Sequence, residues 1–412
     1  MPRQWLHIEG YKMAYDETSH VNISQASDLL CVSIDTIRRW EKKGLIKAYR
    51  DINGRRLFHP KELSDLQAKT NGTGSDVGYK VLKANKKSKY KVLELFAGCG
   101  GLALGMENAG LNCEMLVEID KNAAATLKLN RPKWKVIADD IANVDFKDIE
   151  VDIVAGGFPC QAFSYAGKRM GVEDTRGTLF FEFARAIKQI KPKIILGENV
   201  KGLLKHDNGR TLETMLSVLD ELGYKVQYKI LRAQYFDVAQ KRERLVIIGV
   251  RKDIQANFIY PEEKNYTVSI REVLRGVPDS EGQKYTPNKR KVMEQIPEGG
   301  YWRDLTDVQQ RSYMGASYFL GGGKTGMARR LSWDEPSLTL TCNPAQKQTE
   351  RCHPSETRPL QVREYARIQS FPDEWSFTGS VASQYKQIGN AVPVNLGFHI
   401  GRSIINALDE TR

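Results

Sequence analysis

A chain of 412 residues has room for two or three domains with buried cores, and a hydrophobic content of 41% excludes wholesale disorder. Lys and Arg number 62 against 50 Asp and Glu, a net charge of +12 that favours polyanionic partners. No stretch approaches the ~18 apolar residues that span a bilayer, and Met1-Pro-Arg-Gln-Trp-Leu-His lacks an apolar leader, so a cytoplasmic protein without membrane contact is expected.

Residues 1–89 carry 17 Lys/Arg and 10 Asp/Glu, which places +7 of the +12 at the front of the chain. Ser24-Gln-Ala-Ser-Asp-Leu-Leu predicts a short helix, Cys31-Val-Ser a turn, and Ile34-Asp-Thr-Ile-Arg-Arg-Trp-Glu-Lys-Lys a second helix ending at Gly44. Leu45–Arg50 and Arg55–Phe58 flank Asp51-Ile-Asn-Gly, whose Asn53-Gly54 suits a hairpin. This segment, assigned to residues 1–70, resembles the winged helix-turn-helix of the MerR-like regulators. That resemblance implies a second helix in the DNA major groove, with Asp35, Thr36, Arg38 and Arg39 facing the bases and Arg55 and Arg56 on the wing. Thr-Asn-Gly-Thr-Gly-Ser-Asp-Val-Gly follows and runs into Lys83, Lys86, Lys87 and Lys89, a pattern that predicts a basic linker over 71–90.

From Lys91 short apolar runs alternate with amphipathic stretches. Strands are expected at 91–96, 113–119, 135–138, 151–155, 194–197, 226–231 and 245–250, with helices at 102–109, 122–129, 178–190 and 210–222. A βαβα rhythm implies an α/β fold with a mostly parallel sheet. The rhythm fails from 253 to 360, a Gly-, Pro- and cation-rich region expected to be a separate irregular domain, and apolar periodicity resumes at 362–368 and 394–408.

Leu93-Glu-Leu-Phe-Ala-Gly-Cys-Gly-Gly predicts a strand, a tight turn and a helix start, where glycine lets the backbone approach a nucleotide-like ligand and the helix offers free N–H groups. Glu118 ends the next strand, about twenty residues on, where a carboxylate accepts bonds from ribose hydroxyls. The spacing G-x-G-G-x-x-x-G departs from the dinucleotide fingerprint, and Phe96 offers adenine an aromatic surface. Both favour S-adenosylmethionine over NAD.

Six cysteines lie far apart without a C-x-x-C, which argues against a disulfide framework or zinc ribbon and for a nucleophile. Gly156-Gly-Phe-Pro-Cys-Gln places Cys160 just past a buried strand, at the carboxyl ends of the sheet where ligands bind. Glu198-Asn-Val ends the following strand, and Gln240-Lys-Arg-Glu-Arg brings Arg242 and Arg244 to the same end. This set suits methylation of cytosine C5, a poor nucleophile. Adding a thiolate at C6 makes C5 an enamine carbon, while Glu198 at N3 and an arginine at O2 offset the developing charge. No metal is needed, and Cys342, Cys352 and His353 lack pair spacing for one.

In order, Phe96-Ala-Gly-Cys-Gly-Gly, Glu118, Asp139-Asp-Ile, Pro159-Cys-Gln, Glu198-Asn-Val, Gln240-x-Arg-x-Arg, Arg363-Glu-x-Ala-Arg-Ile-Gln-Ser-Phe-Pro and Gln387-Ile-Gly-Asn-Ala-Val-Pro resemble the motifs of the DNA (cytosine-5)-methyltransferases of bacterial restriction-modification systems. The resemblance implies a Rossmann-like S-adenosylmethionine-dependent catalytic domain over 91–252 and 361–412, with a target-recognition domain at 253–360. It implies a cofactor site of Phe96, Gly98, Gly100, Glu118, Asp140, Ile141 and Asn390, rimmed by Pro159 and Leu179. It further implies a loop through Ser164 and Lys168 that closes over DNA, and a Thr339-Leu340 signature in the recognition domain. The substrate is then double-stranded DNA, with the target base flipped out of the stack. An enzyme acting as a monomer, protecting host DNA from a nuclease and able to bind its own promoter, is the leading expectation. A transcription regulator that senses S-adenosylmethionine and a tRNA methylase are the alternatives.

Overall fold

The structure is a computed structural model that describes residues 20–30, 34–42, 44–51, 54–60, 62–63, 79–158 and 179–410. The chain divides into two compact units, one up to Gly78 and one from Tyr79 onward.

In the first unit β1 (Val21–Asn22) leads into a helix at Ile23–Leu30, a second helix spans Ile34–Lys42, and β2 (Tyr49–Arg50) and β3 (Arg56–Phe58) follow. The sheet order is β1-β3-β2, antiparallel throughout. Asn22 and Gln25 exchange backbone-to-side-chain hydrogen bonds of 2.9 Å each, a reciprocal cap that starts the first helix. Gly54 takes φ +74°, as the hairpin requires. Val21, Ala26, Ile37, Ile46, Phe58 and Leu63 form the core. The expected helix pair and wing are therefore present.

The second unit is built on seven strands: β4 (Lys91–Leu95), β5 (Asn112–Val117), β6 (Lys135–Ile137), β7 (Ile153–Gly156), β8 (Ile194–Val200), β9 (Tyr224–Arg232) and β11 (Glu243–Arg251), with the two-residue β10 (Gln240–Lys241) between the last two. Their order is β6-β5-β4-β7-β8-β11-β9. The first five are parallel, and β11 runs antiparallel between β8 and β9. Helices at Gly101–Ala109, Lys121–Asn130, Leu179–Ile190 and Arg210–Glu221 occupy the expected crossovers, and Val394–Asp409 returns to the sheet. Val92, Leu116, Ala155 and Leu196 join one apolar layer, while Leu93, Val117, Val154 and Ile195 join the other, so β4, β5, β7 and β8 are buried on both faces. The α/β, mostly parallel class is thus the one expected.

Two stretches differ from expectation. Residues 79–90, read as linker, are fastened to the catalytic unit: Tyr79 Oη donates to the Phe371 carbonyl, Leu82 N–H donates to Asn395 Oδ1 at 2.9 Å, and Asn395 Nδ2 donates to the Lys80 carbonyl at 3.1 Å. Their cationic composition had hidden the backbone partners. Residues 253–360 do not stand wholly apart either. Met293, Ile296, Trp302, Leu305, Met314, Met327, Ala328 and Cys352 make a small core of their own. Ile270, Val273, Leu331, Leu340 and Leu360 instead join the main core, and β12 (Ser337–Leu338) pairs in parallel with β10.

Candidate active site

One cavity of about 670 Å³ opens at the carboxyl ends of the parallel strands, lined by the β4, β5 and β8 termini and by the helix at Val381–Asn390. The cofactor side begins at the turn after β4, where Gly98 and Gly100 adopt φ +55° and +88°. Those values suit glycine and release the helix at Gly101 with no side-chain cap on its first N–H groups. Phe96 itself lies in the left-handed region at φ 57° and lines the cavity. Glu118 is buried; its two oxygens accept N–H bonds of 2.7 Å each from Gly98 and Asp120. Burial raises its carboxyl above the usual range against the opposing pull of those amides. Each oxygen retains acceptor capacity for a ribose hydroxyl. Asp140 caps the short 3₁₀ turn Ile141–Asn143 by accepting the Ala142 N–H at 3.0 Å, and Asp140, Ile141, Leu179 and Asn390 all line the cavity. Gly100 shapes the turn without lining it.

The opposite side is set by sheet register. Arg244 on β11 lies opposite Val200 of β8, and Val246 opposite Glu198. Antiparallel partners share a face, so Arg244 and Glu198 are diagonal neighbours. Their ion pair is 2.7 Å long, with side chains only 12% and 13% exposed. Burial raises the Glu198 carboxyl more than Arg244 and then Arg242 lower it, so it holds its proton to higher pH than an ordinary glutamate. Arg242 is buried, donates to the carbonyls of Leu340 at 3.3 Å and Asn390 at 3.4 Å, and is pulled down to about 9 by burial. Its Nε has no partner among the described residues. Phe96, Glu118, Glu198, Arg242 and Arg244 therefore face one space.

Cys160, Pro159, Ser164 and Lys168 lie outside the described residues. The backbone leading to Cys160 is held as far as Phe158, whose carbonyl accepts Asn199 Nδ2–H at 2.9 Å and whose ring packs on Phe180 and Phe183. A Cβ at Gly157 would sit 3.1 Å from Glu198 Oε2, so the chain passes directly over that carboxyl.

Other expected residues have different employment. The Thr339 hydroxyl donates to the Lys241 carbonyl at 2.8 Å, and Leu340 N–H to Gln240 Oε1 at 2.9 Å, which clamps the Gln240–Arg244 segment. In the first unit Arg55 is exposed, whereas Arg56 pairs with Glu41 at 2.6 Å and ties the wing to the second helix. Arg38 is exposed, and the side chains of Asp35, Thr36 and Arg39 are outside the described ones. Cys342 donates to Asn390 Oδ1 at 3.1 Å, and His353 Nδ1 accepts the N–H groups of Ser355 and Glu356. Among the described residues no cluster of three or more His, Cys, Asp or Glu is arranged to hold a metal. Sequence reasoning passed over Asn199, although it sits inside Glu198-Asn-Val, and over Glu94, a lone charge within the apolar run Val92–Leu95.

A Rossmann-like sheet with a nucleotide-sized cavity beside a buried acid–arginine pair defines a methyltransferase. Residues 90–406 match the model of C-5 cytosine-specific DNA methylases; the chain belongs to that family and is a DNA (cytosine-5)-methyltransferase. Residues 22–58 match the MerR family regulatory protein model. The chain is 53% identical over 402 residues to Type II methyltransferase M.Eco47II of Escherichia coli, covering 94% of this chain and 96% of that one. It is 51% identical over 403 residues to M.PspPI of Psychrobacter sp. (strain TA137), covering 95% and 97%. Against M.Sau96I of Staphylococcus aureus it is 56% identical over 339 residues, covering 80% and 79%. A crystal structure of a DNA modification methyltransferase from an E. coli prophage superposes with a TM-score of 0.59 at 24% identity, covering 78% of this chain and 100% of that one, and shares the fold.

Proposed function

We propose that the enzyme methylates C5 of a cytosine flipped out of duplex DNA, with S-adenosylmethionine as donor and Cys160 as covalent catalyst. The carrying observation is the buried Glu198–Arg244 pair sharing one cavity with Phe96 and Glu118. Phe96 and Glu118 would hold the adenosyl end, and Gly98, Gly100, Asp140, Ile141, Leu179, Pro159 and Asn390 would shape its surround. When bound, S-adenosylmethionine supplies an electrophilic methyl group beside C5. Cys160, as thiolate, bonds to cytosine C6. Glu198, whose hold on a proton is strengthened by burial, donates at N3 and neutralises the charge that this addition sends into the ring. Arg244 neutralises charge at O2 and keeps Glu198 oriented. Water acting as base removes the C5 proton after alkylation, the electron pair of that bond re-forms the C5–C6 double bond and expels the Cys160 thiolate, and N3 returns its proton to Glu198.

Residues 253–360 supply target recognition in this reading. The alignment to M.Eco47II spans 94% of the chain, leaving too few residues outside it to omit that segment, so a related target is expected. Host-DNA protection, through Ser164, Lys168 and Thr339 near the DNA, completes the proposal. The front unit binds duplex DNA through Arg38, Arg39 and Arg55, with Arg56 bracing the wing against Glu41, and represses a promoter near its own gene; the enzyme works as a monomer.

Bisulfite sequencing of plasmid from a methylation-free host should reveal one modified sequence context. Duplex bearing 5-fluorocytosine there should trap a covalent adduct with the wild type and none with Cys160→Ala. A modified context without an adduct would overturn the thiolate route while keeping the activity. Derepression by Arg38→Ala/Arg39→Ala at unchanged methylation tests the promoter role, and loss of both in a folded variant would refute it.

A further inference from the structure

Residues Ala233 to Arg242 form the loop that leaves the edge strand β9 and brings Arg242 to the cavity. The loop is closed at its base, where the Ala233 N–H donates to the Arg242 carbonyl at 2.8 Å. Asp237 stands at its middle with φ 57°, in the left-handed region. Aspartate tolerates that region better than most residues, but glycine occupies it freely, so the turn itself does not call for a carboxyl group. Strain of this kind persists where the surrounding contacts over-determine it.

Those contacts come from two distant parts of the chain. On the helix Val394–Asp409, His399 Nε2–H donates to Asp237 Oδ2 at 2.8 Å and Asn395 Nδ2–H donates to the Asp237 carbonyl at 2.8 Å. From the entry of the 253–360 segment, the Tyr266 hydroxyl donates to Oδ1 and the Lys264 ammonium lies 3.9 Å from Oδ2. The Lys264 N–H also donates to the Tyr235 carbonyl at 3.0 Å, and the Phe236 ring packs on that of His399. Against the burial that raises it, His399, Tyr266 and Lys264 hold the Asp237 carboxyl below its usual range, so it is an anion tied on both sides.

The guanidinium at the far end of the loop is held more loosely. Arg242 reaches its two carbonyls at 3.3 and 3.4 Å, and its Nε has no partner among the described residues. Side-chain bonds of that length do not fix where the group sits, so its position follows the backbone that carries it. We propose that Asp237 is a positioning residue: its carboxylate, locked to His399 and Tyr266, sets the path of the loop and thereby the reach of Arg242 into the cavity. The inference rests on that cavity being where methyl transfer takes place. Asp237 touches neither substrate nor donor and acts only through Arg242.

Steady-state methyl transfer by the full-length protein over a pH series, beside thermal melting, tests this with Asp237→Gly and Asp237→Asn. Glycine relieves the turn and removes the tie, whereas asparagine keeps an acceptor for Tyr266 and a partner for His399. Asp237→Gly should melt within about 5 °C of the wild type. It should bind S-adenosylmethionine within about threefold of the wild type and turn over about tenfold more slowly or worse. Asp237→Asn should recover most of that turnover. Arg244 and then Arg242 oppose the burial that raises the Glu198 carboxyl, so a displaced Arg242 should move the alkaline fall in activity to higher pH in Asp237→Gly. A residue that only supports the fold would lose folded protein and turnover together and leave that fall in place. Such a result, or wild-type turnover in Asp237→Gly, would overturn the proposal. If Asp237→Gly fails to fold, His399→Phe, which keeps a ring against Phe236 and removes the hydrogen bond, decides by the same turnover and pH readouts. Should Glu198→Gln retain the wild-type alkaline fall, the proposed role of Glu198 is lost, and turnover at unchanged stability and donor affinity still decides for Asp237. No methylation by the wild type would remove the site itself, and this inference with it.

Discussion

The two units treat charge in opposite ways. In the unit from Tyr79 onward the groups that bear on chemistry are withdrawn from water: Glu198 and Arg244 are paired and nearly buried, and Arg242 is 1% exposed. In the front unit Arg38 and Arg55 stand exposed over a core of six buried side chains. Withdrawn charges interact strongly because little water screens them, and they are fixed before the reaction begins. Exposed charges each contribute little and sum over a phosphate backbone. Substitutions in the first region should therefore abolish steps, and those in the second should shift affinities by increments that salt can erase.

The largest effect belongs to Cys160→Ala, which removes the proposed nucleophile and should leave no methylation above background in a tritiated-methyl transfer assay. Glu198→Gln comes next. It keeps the shape but cannot hand over a proton, and should lower turnover by about 10²–10⁴-fold. The pH profile sharpens this. In the proposed mechanism Glu198 donates a proton, and its affinity for that proton is raised, so wild-type activity should fall as pH rises past the elevated value. The proposed thiolate route requires Cys160 to lose a proton, so activity should also fall on the acid side, giving a bell. Glu198→Gln should lack the alkaline limb; an unchanged limb would assign it to another group.

Glu118→Gln should act on binding alone, weakening S-adenosylmethionine about tenfold with little change in turnover at saturating donor. Since burial raises this carboxyl, wild-type donor affinity should drop as pH falls through its titration, and the variant should lose that dependence. A turnover loss matching that of Glu198→Gln would mean that the two sides of the cavity are not separable.

Much of this was legible before any coordinates, and unevenly so. Strands β4, β5, β7 and β8 are buried on both faces toward their carboxyl ends, so they read there as largely apolar runs, and each signature residue falls where such a run stops: Phe96 after Leu95, Glu118 after Val117, Glu198 after Gly197. The antiparallel insertion of β11 between β8 and β9 was not legible, because a run of apolar residues carries no direction, yet it is this register that sets Arg244 against Glu198. The recognition segment resisted for another reason. Its local organisation hangs on Arg330, whose guanidinium donates to the carbonyls of Ile296, Met293, His353 and Glu356 at 2.7–3.1 Å. An arginine gathering distant carbonyls leaves no periodicity. Glu94 was overlooked because a single charge in a strand reads as a solvent-facing position, whereas here both faces are covered.

The smallest effects lie on the wing, where two adjacent arginines separate structure from recognition. Arg56 holds Glu41 at 2.6 Å with both side chains partly exposed, so Arg56→Ala should cost at most about 1 kcal/mol of front-unit stability and leave methylation unchanged. Arg55 is exposed, with its backbone N–H bonded to Asp51 Oδ1 at 2.7 Å, and its side chain lies in solvent where it can follow a phosphate. Arg55→Ala should weaken full-length binding to promoter duplex by a similar factor on every sequence, and should lower the slope of log affinity against log salt by about 0.9, one phosphate's share. Methyl transfer on a short duplex holding only the methylation target should not change. A parallel loss of methyl transfer would show that the exposed charges serve the buried site, and the contrast between the two units would then describe one continuous DNA surface instead of two functions.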